Sequence, residues 1–432
     1  MSENLDTVTL KISRHCSRVG DEASVSGKSI ERCRARQGSK LAKSSSIESI
    51  GHPSTPILTR RAGVRTWIEL DARAAGRNVL AFRRLIGPRV KLWAVVKSNA
   101  YGHGLFAFTP LAAELGVDGF CVDSLVEAKA LRRAGIRQSI LVLGHTLPER
   151  FPEAVAGHIA LTASNFETLE ELARAPAAPE FHLKFDTGMR RQGFFPSDTP
   201  RLLRRLKARP ALRPRLTGLY THFAAANDLD DPGFTQAQMR EFLRTTAQFA
   251  RAGYGHLLRH AAATGGTMLG PQYHLDAVRI GIGLYGLWPS PRLARQFQGK
   301  LQLEPVLAWR AVVSEVKWLA PGDAVGYDLT ERVPERTKMA VVPIGYWHGF
   351  PRALSGIGEV LLHGRRARVL GRVSMDLISI APAGRARPGD IVTLIGRDRG
   401  ATIGADESAQ RAGTIHYEFL TRLNPLMERV VV

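Results

Sequence analysis

Lys97 stands at the end of an apolar run, WAVV, and is followed at once by SNAYGHG. A lysine just past a buried strand sits at the end of a parallel barrel where catalytic groups gather. Partial removal from water eases the loss of its proton, and the neutral amine can then form a Schiff base with a carbonyl. A surface lysine at a strand end is the simpler alternative, and the residues that follow decide between the two. Tyr101-Gly102-His103-Gly104 supplies a hydroxyl and two positions without Cβ, which let a phosphate approach the backbone. A lysine nucleophile beside a phosphate cradle is the chemistry this segment suggests.

Such a lysine needs a strand-and-helix frame, and the surrounding sequence supplies one. TWIELD reads as a strand, and the period from Ala72 to Ile86 reads as a helix. KLWAVVKSN is a buried strand. DGFCVDS, VEAKALRRAG and SILVLG repeat the order strand, helix, strand, and FHLKFDTG, LTGLYTHFA and AVRIGIGLYG continue it. This alternation predicts an α/β fold, a (β/α)8 TIM-type barrel over 64–300. After Lys300 the texture changes to short β-rich runs such as VLAWRAVVSEVKWL and DIVTLIG, punctuated by Pro321-Gly322 and Pro388-Gly389. These predict a mainly antiparallel β domain over 301–432. Residues 1–63 are rich in Ser, Arg, Lys and Gly and read as a disordered leader. No apolar stretch there supports a secretory signal, and Glu22, Glu31 and Glu48 argue against an organelle transit peptide.

Composition narrows the function classes. Of 432 residues, 44% are hydrophobic, which suits a globular protein with a real core. No apolar run approaches the roughly 20 residues of a membrane helix. The net charge of +21 comes from basic residues spread along the whole chain. No basic block interleaves with aromatics, so nucleic acid is not the expected partner. Cys16, Cys33 and Cys121 have neither metal spacing nor a disulfide pattern, which fits the cytoplasm and gives no metal site.

AVVKSNAYGHG resembles the lysine motif of the alanine racemases, enzymes dependent on pyridoxal 5'-phosphate (PLP). The resemblance runs from about Arg65 to Val430. Further family runs follow in order: HLKFDTGMRRQGF, YTHFA, VRIGIGLYG, VGYDLT, PIGY, GRVSMD, PGDIVTLIG and TIHYEFLTRL. The resemblance implies interconversion of L- and D-alanine by two bases, for cell-wall precursors, with serine or lysine as alternative substrates. Lys97 would hold PLP and serve one face of the substrate; Tyr327 would serve the other. Arg279 would bond the pyridine nitrogen, and His222 would pack against the ring. Gly281 and Ile282 would give backbone donors to the phosphate, and Tyr101, Thr264 and Tyr417 hydroxyls. Arg191 and the Met375 N–H would meet the substrate carboxylate, with Asp376 beside Met375 and Tyr346 at the entrance. Lys184 matches a lysine that some members carry as a carbamate. The family also implies a homodimer in which Tyr327 reaches the partner's barrel.

Gly281-Ile-Gly283-Leu-Tyr-Gly286 fits the spacing of a dinucleotide loop. That reading requires a helix at the third glycine, and Pro289 and Pro291 oppose one. Three segments depart from the family pattern. Ala263-Thr264 replaces Asn-Ser, Trp347-His348 replaces Ala-Asp, and Asp328 follows Tyr327 where glycine is usual. A decarboxylase on the same barrel and a non-catalytic PLP-binding barrel are the competing classes. VGYDLT and GRVSMD speak against the first, and the long β domain against the second.

Overall fold

The computed structural model describes residues 63–228, 230 and 232–432. The expected leader, apart from Gly63, lies outside them, as do Cys16 and Cys33.

The first described elements are β1 (Thr66–Leu70) and α1 (Ala72–Ile86). Asp71 caps α1 by accepting from Ala74 N at 2.8 Å, and the helix buries Ala74, Ala75, Val79, Phe82 and Ile86 along one face. Eight parallel strands follow: β2 (Lys91–Val95), β3 (Gly119–Val122), β4 (Ser139–Val142), β5 (Leu161–Ala163), β6 (Phe181–Lys184), β7 (Leu216–Tyr220), β8 (Leu258–Ala263) and β9 (Ala277–Ile280). Their order around the sheet is that of the chain, with β9 returning to β2. A parallel bridge between Leu141 and Ala160 joins β4 to the approach of β5 and closes the ring. Both faces of these strands are covered, so β3, β6 and β9 are buried along their whole length. The expected TIM-type barrel is therefore present.

The second sheet is mostly antiparallel. It contains β10 (Leu307–Val312), β11 (Glu315–Leu319), β14 (Thr337–Val342), β15 (Glu359–Leu362), β16 (Arg365–Leu370), β17 (Ile378–Ala381), β18 (Ile391–Asp398), β19 (Ala401–Ile403) and β20 (Glu428–Val431), while β12 (Ala324–Val325) and β13 (Glu331–Arg332) form a separate pair. One strand departs from the expected division. β1, placed in the barrel by its position before α1, instead lies between β10 and β20 in the second sheet. Trp309 of β10 is fully buried and donates to Thr66 Oγ1 at 2.9 Å. Arg310, only 6% exposed at its side chain, pairs with Glu69 at 3.0 Å. The first described strand thus belongs to the β domain's sheet, and α1 follows it on the way to the barrel strands.

The glycine-rich run after β9 opens no helix at Gly286, which lies at φ +80. A helix does start at Pro291 (Pro291–Phe297), with Ser290 accepting from Leu293 N at 3.2 Å. Proline at the first helical position gives up an N–H that would have had no partner, so Pro291 begins this helix instead of opposing it.

Candidate active site

A cavity of about 470 Å³ opens at the C-terminal ends of the barrel strands. Its lining includes Lys97, Tyr101, Lys184, Arg191, His222, Thr264, Arg279, Gly281, Ile282 and Tyr417, residues far apart in sequence. Asp123, Gln192, Tyr220 and Asn227 also line it and were not singled out by sequence. Asp123 follows β3 as Lys97 follows β2, and that equivalence was a usable signal.

Lys97 leaves β2 into a turn where Ser98, Asn99, Ala100 and Tyr101 all take left-handed angles, φ between +51 and +56. Each such residue costs about 1 kcal/mol or more, so the surroundings must hold them. Asn99 Oδ1 accepts from Leu105 N at 2.7 Å, and Ser98 N donates to Glu127 Oε1 at 2.7 Å. The lysine side chain is 38% exposed, and its Nζ stands 3.8 Å from Asp123 Oδ1. Gly102 and Gly104 make room for the chain itself. A Cβ on Gly102 would lie 1.9 Å from Leu420 O, and one on Gly104 would lie 2.7 Å from Arg429 Cδ. These glycines admit the C-terminal segment, not the anion expected of them.

Hydroxyl and backbone N–H groups gather around Gly281 in the same cavity. A Cβ on Gly281 would stand 2.8 Å from the Tyr101 hydroxyl, and Gly281 N donates to Thr264 Oγ1 at 3.2 Å. Ile282 N has no acceptor among the described residues. Burial pushes the Tyr101 phenol up to about 12 and raises that of Tyr417 as well. Both therefore remain protonated donors near neutral pH, as an anion requires.

Arg279 also lines the cavity and is buried, 3% exposed. It donates to Thr221 O at 2.8 Å, Ala261 O at 2.9 Å and His260 Nδ1 at 2.5 Å, with His222 Nδ1 at 3.3 Å. His260 Nε2 lies 2.8 Å from His182 Nδ1, and the Tyr220 ring stacks on His260 at 4.8 Å. Burial, then the Arg279 charge, lowers His182 to about 3 and His222 likewise to about 3, so both rings are neutral.

Lys184 is buried and donates to Gln192 Oε1 at 2.9 Å. Burial, then the charges of Arg191 and Arg279, pulls its amine down to about 8. Asp186 shapes the next loop by accepting from the N–H groups of Gly188, Arg190 and Arg191 at 2.9 to 3.0 Å, which sets Arg191 at the rim.

Tyr327, Tyr346, Met375 and Asp376 do not line this cavity. They lie on the β domain and are exposed, Tyr327 to 68% and Met375 to 53%. They belong to linked loops: Tyr346 N donates to Ser374 O at 3.1 Å, Trp347 N to Met375 O at 3.0 Å, and Asp328 pairs with Arg372 at 3.1 Å. Of the departures, His348 is buried and accepts from Gly345 N at 3.2 Å through Nδ1, a structural role, while Trp347 remains exposed.

Comparison with known proteins agrees with this organisation. Residues 70–289 match the family described as alanine racemase, N-terminal domain, and residues 306–431 its C-terminal domain. Alanine racemase of Leptospira interrogans serovar Lai is 36% identical over 375 residues, covering 85% of this chain and 96% of that protein. That of Listeria monocytogenes serotype 4b (strain F2365) is 40% identical over 365 residues, covering 84% and 97%. Among solved structures, alanine racemase from D-cycloserine-producing Streptomyces lavendulae superposes with a TM-score of 0.80 at 34% identity, covering 86% of this chain and 98% of that one. Alanine racemase from Bacillus anthracis with bound L-Ala-P gives 0.79 at 35%, covering 85% and 95%. With both domains matched in order, this chain belongs to the alanine racemase family.

Proposed function

We propose that this protein interconverts L- and D-alanine as a PLP-dependent homodimer whose active sites combine the barrel of one protomer with the β domain of its partner. The observation that carries the reading is the division just described. One cavity gathers the lysine, the anion cradle and the buried arginine, while Tyr327, Tyr346 and Met375 form an exposed surface on the other domain. Exposed aromatic and apolar side chains grouped on linked loops mark an interaction surface.

The cavity fits PLP. Tyr101, Thr264, Tyr417 and the Gly281 and Ile282 N–H groups suit its phosphate, Lys97 its carbonyl carbon, and Arg279 its ring nitrogen. When bound, PLP draws electrons from the substrate α-carbon and makes the α-proton removable. Lys97 Nζ takes or returns that proton on one face, and the Tyr327 hydroxyl of the partner protomer does so on the other. A single base would return the proton to the face it left, so inversion requires the pair. Arg191 and the Met375 N–H hold the substrate carboxylate, Asp376 supports the Met375 loop, and Tyr346 narrows the entrance. Neutral His222 gives the ring a flat, uncharged wall. The D-alanine formed serves cell-wall precursors, and the expected place of action is the cytoplasm. Among the described residues no helix is long and apolar enough to cross a membrane.

The test is an assay of purified protein with both enantiomers of alanine, serine and lysine. Fastest turnover of alanine in both directions is expected; faster turnover of serine or lysine overturns the substrate assignment.

A further inference from the structure

We propose that the β domain carries a second ligand site, a basic pocket that binds a small polyanion rich in phosphate or carboxylate groups. The pocket, about 540 Å³, lies where three turns of the sheet meet: the β15–β16 hairpin, the loop from β17 to β18, and the β18–β19 turn. That volume is within the range of small-molecule sites, roughly 300–1,000 Å³. Four arginines line it, Arg365, Arg385, Arg387 and Arg399, together with His363 and one carboxylate, Asp390. It shares no residue with the barrel cavity.

The carboxylates here are committed to the frame. Asp390 Oδ2 accepts from His363 Nε2 at 2.9 Å and from Arg387 N at 2.8 Å, which ties the β17–β18 loop to the hairpin. Buried Asp398 accepts from Gly364 N at 2.7 Å and ties the hairpin to the third turn. None of the four guanidiniums has a carboxylate within ion-pair distance among the described residues. Arg365 reaches only Ala383 O at 3.3 Å, and Arg399 only His363 Nδ1 at 3.5 Å.

Neighbouring arginines are treated differently. Arg366 and Arg368, on the same strand as Arg365, pair with Glu359 at 2.6 Å and Glu331 at 2.5 Å, and Arg411 pairs with Glu359 at 2.7 Å. These three arginines are neutralised by carboxylates, whereas the four around the concavity have no carboxylate partner among the described residues. Guanidinium forks match the oxygens of phosphates and carboxylates, and several around one hollow favour more than one anionic group. No Phe, Tyr or Trp lines the pocket, so it offers no stacking platform for a nucleobase. The ligand class is a compact non-aromatic polyanion.

This proposal does not depend on the racemase reading. The test is calorimetric titration of the PLP-loaded holoenzyme, its barrel cradle filled, with inorganic pyrophosphate and separately with citrate. Saturable binding of at least one is expected, and the tighter of the two assigns phosphate or carboxylate as the ligand chemistry. In the Arg387→Gln/Arg399→Gln variant that affinity should fall at least ten-fold, with racemase activity and melting temperature as folding checks. The Arg133→Gln/Arg204→Gln variant loses the same charge on exposed barrel helices and should stay within two-fold of the parent. No saturable binding of either anion overturns the proposal, as does an equal loss in both variants, which would mean binding to net charge alone.

Discussion

Arg279 Nη1 lies 2.5 Å from His260 Nδ1, and this contact sets the direction of the hydrogen bonds behind it. Arginine has donors and no acceptor, so His260 Nδ1 must accept. The proton of the neutral ring then sits on Nε2 and is donated to His182 Nδ1 at 2.8 Å. Burial, with the Arg279 charge, holds His260 well below its ordinary value, consistent with a neutral ring.

The first prediction follows from that one-way character. Were PLP held with its ring nitrogen toward Arg279, the guanidinium could only donate a hydrogen bond to that nitrogen and would leave it unprotonated, which would favour return of the proton to the α-carbon. Arg279→Glu should slow racemisation by about 10²-fold, the scale of losing one well-placed electrostatic group. It should also raise transamination relative to racemisation, read as pyruvate formed per D-alanine formed. A folded, PLP-loaded variant with an unchanged ratio contradicts the role given to Arg279.

The second concerns the cradle. Tyr101→Phe removes a hydroxyl donor to an anion, worth about 1.5–3 kcal/mol, and should weaken PLP binding by roughly ten-fold or more. Gly281→Ala would place a methyl 2.8 Å from that same hydroxyl. The two changes should therefore be non-additive, with Gly281→Ala costing less in the Tyr101→Phe background. Fluorescence titration of the apoenzymes with PLP measures the cycle, and strict additivity contradicts the shared cradle.

The third uses Lys184, whose amine is lowered to about 8 chiefly by burial. Only a neutral amine reacts with carbon dioxide. At fixed dissolved CO₂, carbamate on Lys184 should be scarce below pH 7 and should grow as pH rises through about 8, well before an ordinary lysine near 10.5 would respond. The cations of Arg191 and Arg279 would then stabilise the new negative charge. Carbon-13 NMR with labelled bicarbonate should show a carbamate signal that is absent in Lys184→Arg. No signal at pH 9 contradicts the expectation.

Lys97 could be singled out from the sequence itself, at the end of the apolar run WAVV and before Tyr101-Gly102-His103-Gly104, whereas His222 and Arg279, which the fold brings to the same cavity, were marked by resemblance. The placement of β1 could not be read from sequence, since its ladder partners lie about 240 and 360 residues away, in Leu307–Val312 and Glu428–Val431, and local pattern carries no such information. The left-handed turn at Ser98–Tyr101 was equally hidden, because such angles are expected of glycine and none of the four is one. Histidines 182 and 260 were passed over because a histidine within an apolar strand gives no sign of its partner. Tyr327 was found by resemblance alone, and one chain leaves it exposed.

The most direct measurement of the central claim mixes two inactive chains. Lys97→Ala lacks one base and Tyr327→Phe the other. Co-refolded in equal amounts, they should recover about a quarter of wild-type activity, since half of randomly assorted two-fold dimers are hybrids and each hybrid holds one complete site. Hybrids proven by native mass spectrometry but without activity would contradict a site built from Lys97 of one protomer and Tyr327 of its partner.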